Sequence, residues 1–259
     1  MTADPSAVDG KKETERFAAF GFDRFNELAQ DATLSEHEKI GFPDALREGF
    51  GEAIWNDILG KLPAFRQPGA ILDIGPGCGE LPRRLITQAE RLGQQVVLVD
   101  HKAMLDHLPA SSAVRRVEGR FPDDVAKITA LAPEGFDAIL VYSVLQIVIV
   151  DSNPFAFVDA ALALLKPGGQ LLLGDIPNVS MLRRFLASQA GAEYHRAYMR
   201  TDDPPQVEAF ARPGDRIDDG LALGLLMRAR MAGFHAYLLP QASTLPFANR
   251  REDLLIVRP

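Results

Sequence analysis

The stretch Asp73-Ile74-Gly75-Pro76-Gly77-Cys78-Gly79-Glu80 decides the fold of this chain. The apolar residues 70–74 that lead into it predict a β-strand, and residues 81–92 that follow it predict a helix. Glycines in such a loop let the backbone approach a ligand closely. Because ligands of open α/β sheets bind beyond the carboxyl ends of the strands, the loop is placed to hold a nucleotide-like cofactor.

Strands and helices alternate through the rest of the chain. Short apolar runs predict seven strands, at residues 70–74, 95–100, 113–118, 136–142, 170–174, 234–239 and 253–257, and helices at 81–92, 123–131, 154–165 and 221–231. Asn153 before Pro154 is typical of a helix start. Continuous apolar strands are buried on both faces, as in parallel sheets. The pattern predicts an α/β fold with a doubly wound, mainly parallel seven-stranded sheet and helices on both faces.

Two segments lie outside this alternation. Residues 1–68 are predicted to form an N-terminal helical segment that caps the main domain, after a loose tail over residues 1–12, with a further helix over about 44–62. Residues 69–259 form the cofactor-binding domain, which a proline-containing insertion over 177–218 interrupts. Four apolar residues recur at helical spacing in the N-terminal segment, and we interpret them mainly as core packing: Phe17, Phe20, Phe25 and Leu28.

Composition narrows the class of protein. The chain has 259 residues, a net charge of −7 and no block of basic residues, which disfavours a nucleic-acid partner. Its single cysteine, Cys78, excludes an intrachain disulfide and indicates a reducing compartment, so we expect a cytoplasmic protein. Residues 138–150 form the most apolar run, too short for the roughly 20 residues of a membrane span, and we expect a strand with its following loop. No cluster of His, Cys or carboxylates has metal-ligand spacing.

The spacing of the glycine loop favours one cofactor over another. The dinucleotide fingerprint is G-x-G-x-x-G, whereas this loop has G-x-G-x-G, with Glu80 at the position of the third glycine. A carboxylate there would repel a pyrophosphate at the helix N-terminus. S-adenosylmethionine (AdoMet) has no phosphate and carries a sulfonium and an ammonium group, which suit the acidic Asp73. An NAD(P)-dependent oxidoreductase is therefore the weaker alternative.

The loop D-x-G-x-G-x-G resembles motif I of class I, Rossmann-like AdoMet-dependent methyltransferases. The resemblance implies that Asp73, Gly75, Gly77 and Gly79 surround the methionine part of the cofactor. Asp100, at the end of the second strand, is placed to accept hydrogen bonds from both ribose hydroxyls. Met104 stands where the family often packs an apolar side chain on the adenine.

Further segments extend the resemblance over residues 69–175. Where the family often has an acidic residue near the adenine, this chain has Arg120 and Phe121, so Phe121 or a backbone amide is expected to contact the ring. The strand at 136–142 resembles motif IV, which implies that Tyr142 and Ser143 face the transferable methyl group. Lys166-Pro167-Gly168-Gly169 resembles the turn before the fifth strand of the family.

Methyl transfer mainly requires alignment of nucleophile, methyl group and sulfur. A hydroxyl nucleophile usually also needs a general base. Tyr142 is a candidate at the methyl, Asp175 is a base candidate at the end of the fifth strand, and His195 is another in the insertion. For Asp175 a turn or cap role, and for His195 a surface role, remain the alternatives.

Two segments bear on the acceptor. Residues 38–43 and 174–178 resemble bacterial methyltransferases associated with surface-polysaccharide loci, which implies a small-molecule acceptor such as a sugar or a polysaccharide precursor. We expect the N-terminal helices and the insertion to wall the acceptor pocket, with Tyr142, Asn178 and Tyr194 or His195 in its lining. A non-catalytic AdoMet-binding module stays open as an alternative. The methylated atom (O, N or C) and the oligomeric state are not determined by the sequence.

Overall fold

The computed structural model describes residues 21–207 and 216–259. Its helices are α1 (Phe22–Gln30), α2 (Glu36–Lys39), α3 (Gly51–Lys61), α4 (Glu80–Leu92), α5 (Lys102–Asp106), α6 (Val125–Leu131), α7 (Leu145–Asp151), α8 (Pro154–Ala163), α9 (Val179–Leu186), α10 (Gln189–Met199) and α11 (Asp219–Met231). Its strands are β1 (Ala70–Ile74), β2 (Gln95–Asp100), β3 (Val114–Glu118), β4 (Phe136–Tyr142), β5 (Leu165–Pro177), β6 (His235–Pro240) and β7 (Arg251–Val257). Short 3-10 turns cover Asp44–Leu46 and Pro63–Arg66.

The strands form one seven-stranded sheet in the order β3-β2-β1-β4-β5-β7-β6. Neighbours from β3 to β5 pair in parallel, and β7 runs antiparallel to both β5 and β6. The predicted α/β fold with a mainly parallel seven-stranded sheet is confirmed. The strand order reverses at β1 and β4, and ligands of such sheets bind beside that reversal.

Alternate residues of the strands supply two cores, one on each face of the sheet. On one face Leu72 and Ile139 pack with α8 and α11. On the other face Ile71 and Leu140 pack with α4 and with α3 of the N-terminal segment. Helix α3 is thus part of a sheet core, so the chain just before β1 is held in place beside the glycine loop.

The N-terminal segment, defined here as residues 21–68, is less helical than the sequence pattern indicates. Phe17 and Phe20 of the predicted stripe lie outside the described residues, and α1 begins at Phe22. The helix predicted over 44–62 divides into the 3-10 turn and α3, with Gly49 between them in the left-handed region (φ +78°). A helix cannot continue through that backbone conformation.

The apolar run at 138–150 ends differently from the prediction. The strand part is β4, but the residues expected to form a loop make α7. Leu145 and Val148 of this helix are buried, so its apolar residues pack into the core. Within the insertion the structure has α9 and α10. In the described ranges, no helix is both long and apolar enough to cross a membrane.

Two asparagines cap helices with the same geometry but different surroundings. Asn153 is exposed and accepts hydrogen bonds from the backbone N–H groups of Phe155 and Ala156. Asn178 is 1% exposed; it caps α9 in the same way, and its Nδ2 also donates to Asp219 (2.8 Å) and Glu252 (2.6 Å). Asn178 therefore connects the insertion to α11 and β7.

We expect Asn178→Ala to lower the free energy of unfolding more than Asn153→Ala does. Losing a cap costs about 0.5–2 kcal/mol, and Asn178→Ala also removes donors from two carboxylates, for a total of about 2–4 kcal/mol. Urea denaturation of the wild type and both variants measures the difference. Equal losses in the two variants would contradict the connecting role of Asn178.

Candidate cofactor and acceptor site

One pocket opens at the carboxyl ends of β1, β2 and β4, between the sheet edge and the N-terminal segment. The sheet side contributes the glycine loop, the end of β2 and the end of β4; the N-terminal segment closes the opposite side. The lining relevant to the chemistry comprises Phe22, Phe25, His37, Ile40, Phe42, Arg47, Asp73, Gly75, Gly77, Gly79, Glu80, Asp100, Met104, Phe121, Tyr142, Ser143, Ile147 and Val148.

The glycine loop has a backbone that residues with a Cβ rarely adopt. Gly75 and Gly77 have φ of +71° and +66°. A Cβ on Gly77 would lie 2.7 Å from Ile40 Cγ2, and a Cβ on Gly75 would lie 2.6 Å from Val144 Cγ2. The two glycines thus permit the turn, and Gly77 also permits the close contact of the loop with the N-terminal segment.

Asp100 is a buried carboxylate whose hydrogen-bonding capacity is half used. Its Oδ2 accepts from the Gly77 N–H (2.9 Å) and its Oδ1 from the His101 N–H (2.7 Å). Burial raises the pKa of Asp100, and the two N–H groups oppose that shift. A carboxylate has roughly four acceptor positions, so each oxygen retains capacity for one ligand hydroxyl.

Asp73 is buried beside the loop without a hydrogen-bond donor among the residues that the structure describes. Burial and the charge of Asp100 raise the pKa of Asp73 to about 8. An isolated buried carboxylate is costly unless a cation or donor reaches it. The position fits the ammonium or sulfonium group of AdoMet, which would supply that positive charge.

The apolar part of the pocket follows Asp100. Met104 is buried and Phe121 packs edge-on against Phe157, with ring centroids 5.0 Å apart. Both line the pocket and offer apolar surface to a planar ring. The neighbouring Arg120 forms an ion pair with Asp151, which balances its charge. Cys78, which is part of the loop, packs against Ala29 and Met104, and burial raises the pKa of its thiol to about 11.

A charged cluster closes the other end of the pocket. Arg47 is 8% exposed, and its Nη2 donates to Ser143 Oγ (2.9 Å) and to Asp175. Asp175 also accepts from Arg251 and from the Ser143 hydroxyl. Burial alone would raise the pKa of Asp175, but Arg251 and Arg47 hold it below its ordinary value.

The structure brings most of the predicted site residues together. Every predicted cofactor residue, and Tyr142, lines the pocket. Asp175 lies behind Ser143, and its ion pairs leave it poorly suited to accept a proton. His195 lies on α10, away from the lining. None of the described residues of the insertion lines the pocket either: Asn178 is a buried cap, and Tyr194 is 37% exposed.

His37 is a pocket residue to which the sequence analysis assigned no role. Its Nδ1 lies 2.9 Å from Asp44 Oδ1, and Asp44 also accepts from Ser35 Oγ (2.7 Å). Ser35 and Glu38 form a capping box that fixes α2. The capping box S-x-x-E was readable from sequence, but the return of Asp44 onto His37 depends on the turn at Gly41 (φ +84°).

Comparison with known proteins identifies the domain. Residues 72–173 match a family model described as a methyltransferase domain. The chain is 32% identical over 180 residues to the ubiquinone biosynthesis O-methyltransferase of Xylella fastidiosa strain M23, covering 70% of this chain and 66% of that protein. It is 34% identical over 135 residues to the protein of the same name from Xanthomonas campestris pv. campestris strain B100, covering 49% and 51%. The chain thus spans between half and two thirds of the length of these relatives.

Solved structures share the fold. The plantazolicin methyltransferase BpumL, in complex with a monoazolic desmethylPZN analogue and SAH (S-adenosylhomocysteine), superposes with a TM-score of 0.55 at 12% identity, covering 96% of this chain and 98% of that one. The N-methyltransferase NodS of Bradyrhizobium japonicum WM9, in complex with SAH, superposes with a TM-score of 0.55 at 14% identity, covering 92% and 98%.

The matched family model identifies residues 72–173 as a methyltransferase domain. The sheet order around it is that of a Rossmann-like α/β fold. The family predicted from the glycine loop is confirmed. In the described ranges, no group of three or more His, Cys, Asp or Glu side chains could hold a metal ion.

We expect binding of AdoMet to release a proton from Asp73. The free carboxyl has a pKa of about 8 and is mostly protonated at pH 7. A cationic ligand favours the carboxylate, so affinity should rise with pH up to about 8, by at most about ten-fold per pH unit. Calorimetry at pH 6, 7 and 8 measures this slope.

The variant Asp73→Asn separates this titration from that of the ammonium group of the cofactor. Asp73→Asn should bind AdoMet more weakly at pH 8 and show a shallower pH dependence than the wild type. Identical slopes in the two proteins would mean that Asp73 does not interact with the cofactor charge.

Proposed function

We propose that the protein transfers the methyl group of AdoMet to a hydroxyl group of a small molecule. The observation that carries this proposal is the pairing of Asp73 and Asp100 at the glycine loop. Asp73 is a buried carboxylate that has no donor among the described residues and is suited to a cation, and Asp100 has acceptor capacity for two hydroxyls. The match to a methyltransferase domain supports the same chemistry.

The cofactor would lie along the loop from Asp73 to Phe121. Asp73 would face the charged methionine part, Asp100 the ribose, and Met104 and Phe121 the adenine. When bound, AdoMet supplies an activated methyl group. Glu80 at the start of α4 disfavours a dinucleotide pyrophosphate, which weighs against an NAD(P)-dependent oxidoreductase.

The nature of the acceptor is proposed from two observations. The relatives named as O-methyltransferases favour an oxygen acceptor. The walls that the N-terminal segment adds are largely apolar and include Phe22, Phe25 and Phe42. Such walls favour a compact acceptor with an apolar face, such as a hydroxylated ring. The sugar or polysaccharide precursor predicted from sequence stays a candidate, and so does the cytoplasmic location.

Alignment is the main contribution of the protein to such a reaction. The N-terminal segment lines one side of the pocket and would limit the access of water to a bound acceptor. We assign His37 as the general base because it lines the pocket. Asp44 holds its Nδ1, so the other ring nitrogen points away from Asp44. Ile40, on the same short segment, contacts the glycine loop, which keeps His37 close to the cofactor end.

The central experiment tests binding first and turnover second. Calorimetry with AdoMet, SAH, NAD and NADP should give binding of AdoMet and SAH alone. Incubation with AdoMet that carries a ¹³C-labelled methyl group and a panel of catechols, hydroxybenzoates, monosaccharides and sugar phosphates should then give a product about 15 mass units heavier than its acceptor, the mass of one added ¹³CH₂. Binding of NAD without AdoMet would reject the proposal. AdoMet binding without label transfer to any panel member or cell-extract metabolite would favour a non-catalytic module.

We expect His37→Gln to lower kcat/KM by about 10²–10⁴-fold, the range for loss of a general base. SAH affinity should stay within about two-fold of wild type, a difference worth well under 1.4 kcal/mol, because glutamine fills a similar volume. The rate is measured across pH with the acceptor that the panel identifies. The pH dependence assigned to the base should disappear in the variant.

Two further variants test whether the effect is specific to His37. Asp44→Asn, which weakens the hold on the imidazole, should lower the rate by a smaller factor and shift the pH profile. His235→Gln, at an exposed position on β6, should behave as wild type. An unchanged rate in His37→Gln would exclude the base assignment while leaving methyl transfer intact.

A further inference from the structure

A row of alternating arginine and aromatic side chains leads from the acceptor end of the pocket to the surface. Arg47 lies over Phe42, with its guanidinium carbon 3.9 Å from the ring centroid. Phe42 lies beside Phe247, with ring centroids 6.5 Å apart, and Arg251 lies over both rings at 5.4 and 4.6 Å. The whole set, here called the arginine–aromatic row, is Arg47, Phe42, Arg251, Phe247, Arg250 and Tyr194.

The outer end of the row reaches solvent. Arg250 lies 4.7 Å over the Phe247 ring and 5.7 Å over the Tyr194 ring. Tyr194 is 37% exposed. Arg251 pairs with Pro177 at the end of β5. The row therefore follows the same edge of the sheet at which ligands of this fold class bind.

Among the described residues, the row holds more positive than negative charge. Of its three guanidinium groups, those of Arg47 and Arg251 share the single carboxylate of Asp175. Arg250 has no carboxylate partner among the described residues. Burial and the like charges of Arg47 and Arg250 lower the pKa of Arg251, against the opposing effect of Asp175.

The nearby acids do not neutralise this excess, because other groups bind them. Glu252 accepts from Asn178, and Asp253 accepts from Lys61 (2.6 Å) and Gln241 (3.2 Å). Lys61 is itself shared with Asp57. These acids thus have partners of their own, and Arg47 is the arginine of the row that lines the pocket.

Two buried polar atoms at the inner end of the row have no hydrogen-bond partner among the residues that the structure describes. They are Arg47 Nε and the Tyr142 hydroxyl oxygen, and both residues line the pocket. Buried polar groups are normally hydrogen-bonded, so each such exception requires an explanation. A ligand group that accepts hydrogen bonds would complete both.

We propose that the acceptor carries a negatively charged group, a carboxylate or a phosphate, and that the arginine–aromatic row binds this group. The inference rests on the proposed function, since it names the acceptor class of the same pocket. Guanidinium groups bind carboxylates and phosphates through planar, paired N–H donors. The stacked rings hold the guanidinium planes in place, which reduces the entropy lost on binding.

The competing explanation is that the row only attaches the N-terminal segment to β7. Under that explanation Arg47 and Arg251 have a structural role, and the outer Arg250 has none in ligand binding. Arg250 is therefore the informative position. Arg47 is not, because its removal would leave Asp175 short of a partner and could unfold the protein.

The experiment is calorimetry on the full chain saturated with SAH, using matched pairs of probes that differ in one charged group. The carboxylate pair is 3,4-dihydroxybenzoate and 3,4-dihydroxybenzyl alcohol. The phosphate pair is glucose 6-phosphate and glucose. We expect the anion of at least one pair to bind about ten-fold or more tightly than its neutral counterpart, as hydrogen bonds to charged groups imply. The pair that shows the difference identifies the kind of anion.

Arg250→Gln should remove most of this advantage, and Arg250→Lys should keep part of it. The matched control Arg228→Gln changes an exposed arginine of α11 that pairs with Asp159, and it should leave the advantage unchanged. Equal binding within both pairs, no binding of either anion, or an advantage that persists in Arg250→Gln would overturn the inference. Loss of SAH binding by the wild type would instead reject the proposed function.

Discussion

The ion pairs of Asp175 connect the N-terminal segment and the last strand, β7, to the end of β5. Arg47 comes from the N-terminal segment and Arg251 from the last strand, and both meet the carboxylate that ends the parallel part of β5. Breaking a buried pair by removing one partner typically costs about 3–5 kcal/mol, because the other charge stays buried. The N-terminal wall of the pocket thus depends on ion pairs between residues that lie outside the matched methyltransferase domain, residues 72–173.

The backbone around this pair is adapted to it. Ser143 and Asp175 have φ of +59° and +58°, values that residues with a Cβ adopt only at some cost. Their side chains hydrogen-bond to each other, and Arg47 bonds to both. The two strand ends therefore present a charged surface at one end of the pocket, while Asp73 and Asp100 present acids at the other. A cationic cofactor and an anionic acceptor would each have one favourable end.

The sequence predicted the sheet, and the residues that it singled out for the cofactor all line the pocket, because both features depend on local signals. Apolar runs and a glycine loop sit directly on the strands that position Asp73 and Asp100. The acceptor side depends on contacts between distant residues, such as Arg47 with Asp175, that no local pattern encodes. The position of His37 also depends on such a contact. Its partner Asp44 is close in sequence, but the two side chains meet only because of the turn at Gly41. Asp175 is a base candidate when the sequence is considered alone. Its two arginine partners lower its pKa and so make it a poor proton acceptor.

Cys78 has a consequence for following the protein in solution. It is the single cysteine of the chain, 1% exposed, and it packs with Ala29 of α1 and Met104 beneath the glycine loop. Thiolate, not thiol, reacts with alkylating reagents, and burial raises the pKa of this thiol to about 11. Its rate of alkylation therefore reports how often α1 separates from the glycine loop. The native chain thus contains a chemical probe of pocket opening that requires no engineered label.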